Sequence, residues 1–263
     1  MKHKGTSTKR LTRQLFVYEL HNALGNGFSL FFGIAFPIIL SLLISKGALK
    51  DVPEAVLPQA TTSVFLGIGM IIPMATMFIG YAANYASELE ANVPERLYLF
   101  GFSQKTLFSA KLMANILFLT IGLLIYVIVD YAALPLLAPA TGSLIGSLIL
   151  FYLFAVLLFC LAHGISNLCR KFGTTYGITM TLYFGMMLFG GLMGIDVENL
   201  PSGVRLVSNL LPTTYVGNSG FVRFWEGKEY NAAPLIQSII FLGACSALVL
   251  IASFYKRRRR HAA

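Results

Sequence analysis

Residues Ser87–Lys111 read SELEANVPERLYLFGFSQKTLFSAK. The segment is the one substantial polar insertion flanked on both sides by apolar runs of membrane length. Its acids are Glu88, Glu90 and Glu95 and its bases Arg96, Lys105 and Lys111. Asn92-Val93-Pro94, with Glu95 in the following turn and Gly101 behind it, predicts a short helix from start to stop. Ser103 is then placed to cap the next helix. A plain linker needs no helix start, glycine stop and second cap in so few residues, so the segment is expected to present a short helix outside the membrane. An ordinary interhelical loop is the other reading of the same pattern.

The flanks set the fold class. With 56% hydrophobic and 12% charged residues and a mean hydropathy of +0.73, the chain is too apolar for a soluble globular domain. The expectation is an all-α membrane protein, a single transmembrane domain over 1–263 with six spans at about 27–45, 62–86, 112–134, 143–167, 172–193 and 233–255. Each suits a hydrocarbon core roughly 30 Å thick. Pro37 and Pro73 should kink the first and second spans. Residues 1–26 form a cytoplasmic tail and an interfacial helix, in which Leu11, Leu15 and Tyr18 share a broad apolar face with Glu19 and Asn22 interspersed. A polar extension of the first span is the alternative there. Asp196–Asn231 mixes Leu206, Leu210, Leu211, Phe221, Phe224 and Trp225 with polar residues, which fits an external segment dipping back into the outer leaflet.

Charge orients these spans. Of the 20 Lys and Arg, 15 lie in the N-terminal tail, the 87–111 segment, Arg170-Lys171 and the terminal Lys256–Arg260 run. Lys46, Lys50, Arg205, Arg223 and Lys228 make up the other side. That bias places both termini inside. The net charge of +9 is thereby explained by topology and anionic lipid rather than nucleic acid. Cys160, Cys169 and Cys245 lack metal-ligand or disulfide-framework spacing and read as packing residues.

Chemistry is sparse. The chain has no G-x-x-x-x-G-K-[ST] phosphate loop, so an ATP-driven role needs a separate subunit. The spans hold two ionisable groups, Asp130 near the outer end of the third and His163 near the inner end of the fourth, poorly placed for a proton relay. Asp130, one turn from the membrane edge, is expected to reach water. An intramembrane enzyme would need clustered ligands or a nucleophile with a base, and only Cys160 and His163 share a face. A non-transporting scaffold also fits the composition.

Two stretches resemble the type-2 ABC exporter permeases, membrane subunits driven by a separate ATPase. Ser87-Glu88-Leu89-Glu90, the Pro94-Glu95-Arg96-Leu97 turn and Lys111 are similar to that family's first intracellular loop and coupling helix. Gly194-Ile195, through Leu200-Pro201, to Leu210-Leu211-Pro212-Thr213-Thr214-Tyr215 resembles its external segment before the last span. The resemblance covers nearly the whole chain. It implies a plasma-membrane exporter subunit that pairs with a second permease chain, identical or related, and with an ABC ATPase carrying the ATP, this chain holding no cofactor. ATPase coupling would then fall to Glu88, Glu90, Pro94, Glu95, Arg96 and Leu97, with Leu97 and Phe100 packed beneath the helix. A path between two chains, lined by the second and fifth spans, gives Met70, Met74, Phe78, Phe184, Met187 and Phe189 as candidates. The apolar lining suits a lipid-like compound, an amphiphilic drug or a hydrophobic peptide.

Overall fold

A computed structural model describes residues 11–192, 197 and 200–262, with side chains through 256. It is all-helical, with no strand among the described residues. The expected basic tail Lys2–Arg10, the Gly194-Ile195 pair, Asp196 and the side chains of Arg257–Arg260 lie outside that description. In chain order the helices are α1 (Arg13–Leu24), α2 (Gly27–Ala48), α3 (Leu57–Glu90), α4 (Val93–Leu99), α5 (Gln104–Ala133), α6 (Thr141–Cys169), α7 (Phe172–Phe189), α8 (Ser202–Ser208), α9 (Thr213–Val216), α10 (Ser219–Trp225) and α11 (Ala233–Ala262).

Five of these, α2, α3, α5, α6 and α11, are long and apolar enough to cross a membrane. The chain is therefore a multi-pass membrane protein. The expected fifth span is the shorter α7, in which Thr174, Thr175, Thr179 and Thr181 and three glycines dilute the apolar residues.

The long helix α3 sits at the centre. Its most apolar window is 89% buried, against 22–33% for the other four. Small residues allow this, because Gly67, Gly69, Ala75, Gly80 and Ala82 let neighbouring backbones come close. A Cβ on Gly80 would fall 1.9 Å from Ser29 Oγ, and one on Gly33 2.4 Å from Thr76 Cγ2, so α2 and α3 cross at near backbone contact. Each proline lies beside a widened stretch of its helix. A π turn over Phe31–Ala35 precedes Pro37, and α3 is interrupted at Met70 before Pro73 and runs as a π helix over Met74–Gly80. Each widening lies within a turn of a residue that lacks the donor and crowds the carbonyl four residues back.

Around α3, α11 packs along α6, where Gly164 faces the Val249–Leu250 backbone. The consecutive helices α5 and α6 do not close into a tight hairpin. Their backbones stand apart, joined midway by the Thr120 and Tyr152 hydroxyls at 2.7 Å.

Residues 134–140 and α8–α10 gather at the N-terminal end of α3. Ser63 Oγ donates to the Gly217 carbonyl at 2.5 Å, Thr61 Oγ1 to that of Pro135 at 2.9 Å, and Trp225 Nε1 to that of Leu137 at 2.9 Å. Phe221 and Trp225 are buried in protein, whereas Leu206 and Leu210 are exposed. Asp130 does not reach water but is fully buried, accepting from Ser41 Oγ at 2.7 Å, because α2 crosses it and the 134–140 segment turns back beyond it.

Candidate functional site

At the opposite end of α3, the chain leaves the bundle at Glu90 and turns on Asn92, whose φ of 55° is left-handed. Asparagine tolerates that conformation better than most residues. Asn92 thus starts α4 with its backbone and makes no side-chain cap. Pro94 and Glu95 occupy the first turn, where a missing N–H costs nothing and an acid meets the helix dipole favourably. The stop is a paired carbonyl closure. Gly101, at φ 91°, donates to the Tyr98 carbonyl at 2.9 Å, and Phe102 donates to that of Leu97 at 3.2 Å. Ser103 Oγ then accepts the Thr106 N–H at 3.1 Å and opens α5 as expected.

This closure decides which apolar side chains are hidden. Leu97, Tyr98 and Phe102 pack against Leu15, Leu107 and Ala110, holding α4 to α1 and the start of α5. Phe100, expected underneath, is 66% exposed beside Leu99 at 88%, because the reversal at Gly101 turns Phe102 inward in its place. Arg96 is exposed on the same short helix and makes no ion pair among the described residues.

Two polar joints lie around α4. In the first, Lys111 Nζ lies 2.8 Å from Glu19 Oε2 and 2.5 Å from Glu88 Oε2, tying α5 to α1 and to the end of α3. All three residues are buried. Asn22 Nδ2 donates to the other Glu88 oxygen at 2.5 Å, and the Tyr85 ring centroid lies 5.4 Å from the ammonium. Burial pushes the Glu19 carboxyl up to about 7 against the pull of Lys111, with the Glu88 charge adding to the rise. In the second joint, Glu90 Oε2 accepts the Phe172 N–H at 3.0 Å and Glu95 pairs with Arg170, so the turn between α6 and α7 is fastened to α4.

The coupling candidates thus divide. Glu88 and Pro94 are buried, Glu90 and Glu95 bind the α6–α7 turn, Leu97 packs inward, and Arg96 alone of the six is exposed with no internal pair among the described residues. Glu19 was read only as a polar interruption of α1, yet an acid beside that apolar face opposite a lysine opening an apolar run is the signal for it.

The path candidates do not gather on one surface. Met70, Met74 and Phe78 are at most 1% exposed within the single chain, Met187 is buried, Phe189 is half-buried and Phe184 is 51% exposed. Met70, Met74 and Phe78 are thus covered by other helices of the same chain. His163 is also enclosed, its Nδ1 2.7 Å from the Tyr81 hydroxyl and its ring stacked on Tyr85.

Comparison with known proteins agrees in extent. Residues 48–255 match the family described as ABC-2 family transporter protein. Over 257 residues the chain is 22% identical to a protein of Bacillus subtilis (strain 168) named "Putative transport permease YvfS", spanning 94% of this chain and 96% of that one.

Proposed function

We propose, from the premise that this chain belongs to the ABC-2 transporter family, that it is an exporter's permease subunit coupled through α4 to a separate ATPase. The observation that carries this is a short helix with Arg96, Leu99 and Phe100 exposed, packed on α1 and α5 and paired through Glu95 with Arg170 of the α6–α7 turn, beside the Lys111–Glu19–Glu88 set that ties α1, α3 and α5 together. An apolar pair with an adjacent cation is the surface a protein groove takes up. Movement of the ATPase would press on α4 and reach both flanking spans together. Glu88 and Lys111 act as positioning residues behind that surface, and Glu90 and Glu95 extend the push to α7.

The rest of the reading follows the resemblance. The chain is one domain of six spans, α2, α3, α5, α6, α7 and α11, in the plasma membrane. Both termini and α4 are cytoplasmic, α1 lies on the inner leaflet, and α8–α10 dip into the outer one. A second permease chain completes the transporter, and the ATP is held by the partner ATPase. The substrate is an apolar or amphiphilic compound moving along a path between chains. Phe184 stands nearest that path, with the enclosed Met70, Met74 and Phe78 as its backing.

The test is Arg96→Glu, alone and with Leu99→Ser and Phe100→Ser. All three side chains are exposed, so membrane insertion and abundance should match the parent. Loss of one desolvated contact at about 2 kcal/mol should weaken capture of the ATPase roughly 30-fold. Undiminished capture together with normal transport would reduce α4 to a connection. A chain that changes no partner's ATPase rate would instead be a scaffold.

A further inference from the structure

At the end of the bundle remote from α4, the separation of α5 from α6 leaves a cavity of about 390 Å³. Its back wall is Phe65, Gly69 and Met70 of α3, and its far end is closed by Phe221 and Trp225 of α10. Tyr131, Leu144 and Leu148 both line it and are 38–41% exposed, which puts the mouth between α5 and α6. The surface around that mouth is apolar, including Ile128 and Ile145, and in a multi-pass protein such a surface faces hydrocarbon. A ligand therefore enters sideways from the bilayer.

Three features narrow its chemistry. No described residue lining the cavity carries a charge, and an apolar cavity of about 150 Å³ already stays dry and takes up benzene, so a larger one favours a hydrocarbon over water. Ser147, on the α6 wall, holds a buried hydroxyl without a partner among the described residues. It lies six residues beyond Thr141, roughly 9 Å along the helix, close to the membrane edge. Tyr131 and Trp225 both donate to the Leu137 carbonyl at this level, as amphipathic aromatics do where hydrocarbon meets headgroup.

We propose that this cavity binds one acyl chain of a bilayer phospholipid, the chain lying between α5 and α6 and its ester carbonyl accepting from the Ser147 hydroxyl. An ester suits the site better than a free carboxylate, which would need a cation that the lining lacks. Seated there, the chain fills the gap that α5 and α6 leave, and it touches the α10 helix through Trp225. The site stands apart from α4 and requires nothing of the ATPase.

Trp225 is the chain's only tryptophan, so its fluorescence reports on the cavity directly. The full-length protein is reconstituted into phosphatidylcholine vesicles with plain or brominated acyl chains. Bromine should quench Trp225 by more than half, and Ser147→Phe, which fills the cavity, should cut that quenching at least threefold with the emission maximum unchanged. Gly69→Val fills the same space from the opposite wall, where a Cβ meets Tyr126 Cε1 at an ordinary 3.5 Å, and should act alike if Ser147→Phe fails to accumulate. Absent quenching in the parent, or equal quenching in the filled variants, overturns the site. In detergent, brominated fatty acid that quenches where brominated phosphatidylcholine does not would overturn the phospholipid assignment.

Discussion

The two ends of this bundle are held together by opposite chemistry. Around α4 the joints are ionic, with Lys111 between Glu19 and Glu88, and Arg170 on Glu95. Around α8–α10 they are neutral hydroxyl-to-carbonyl bonds and glycine contacts, with Gly67 against Gly217 and Ser63 on the Gly217 carbonyl. A buried ion set tolerates no missing member, since the remaining charge is left without solvent or partner. Neutral joints yield singly, and they can frame an unfilled space such as the cavity beside Trp225. The α4 end is therefore built to move as a block, and the other end to adapt.

Removing the central cation tests that contrast most severely. Lys111→Met leaves two buried carboxylates facing each other, a loss expected at about 3–5 kcal/mol. Thermal unfolding in detergent should drop sharply, and proteolysis should first release α1, which the triad fastens to α3 and α5. A variant as stable as the parent would mean that the joint is not closed to water. The replacement of all three charges at once, Lys111→Met with Glu19→Gln and Glu88→Gln, should recover much of the loss.

At the other end the expected effect is smaller. A Cβ on Gly67 falls 3.2 Å from the Gly217 Cα, a backbone atom that cannot swing aside. Gly67→Val should therefore cost about 1–3 kcal/mol through overpacking. Gly69→Ala, two residues along with ordinary room, should cost nothing or stabilise slightly. Equal unfolding temperatures for Gly67→Val and Gly69→Ala would show that the α3 contact with residue 217 is loose.

What could be read from the chain follows the same division. The start and stop of α4 were legible because Pro94, Glu95, Gly101 and Ser103 act on their own few residues. The side chains beneath it were not, since the closure at Gly101 exchanges Phe100 for Phe102. The apolar spans announced themselves by length, but the central place of α3 did not. Met70, Met74 and Phe78 have the same helical spacing whether the face they form lines a path or meets other helices. Asp130 was read as near water from its place along its span, and Glu88 as a coupling residue from the resemblance, and both are covered by segments that fold back over them. Burial of an acid depends on what crosses it, which no local pattern records.

The triad also makes the α4 end sensitive to protons, in a direction its composition fixes. Two carboxylates and one ammonium carry an excess negative charge, and burial raises the Glu19 carboxyl from 4.5 to about 7, with Lys111 pulling down and Glu88 pushing up. The folded chain thus holds a proton on Glu19 that the unfolded chain gives up, so between about pH 4.5 and 7 it binds more protons than the unfolded chain. The resulting stabilisation is fully present below 4.5 and is lost as the pH rises through 7. Other carboxylates titrate in the same range, so the quantity to measure is the difference between the parent and Glu19→Gln, which stays neutral at every pH. Unfolding temperatures of the parent should fall relative to Glu19→Gln between pH 5 and 8, by less than the loss caused by Lys111→Met. Parallel curves would show that Glu19 stays charged across the range, and that the joint is a plain ion set with no proton of its own.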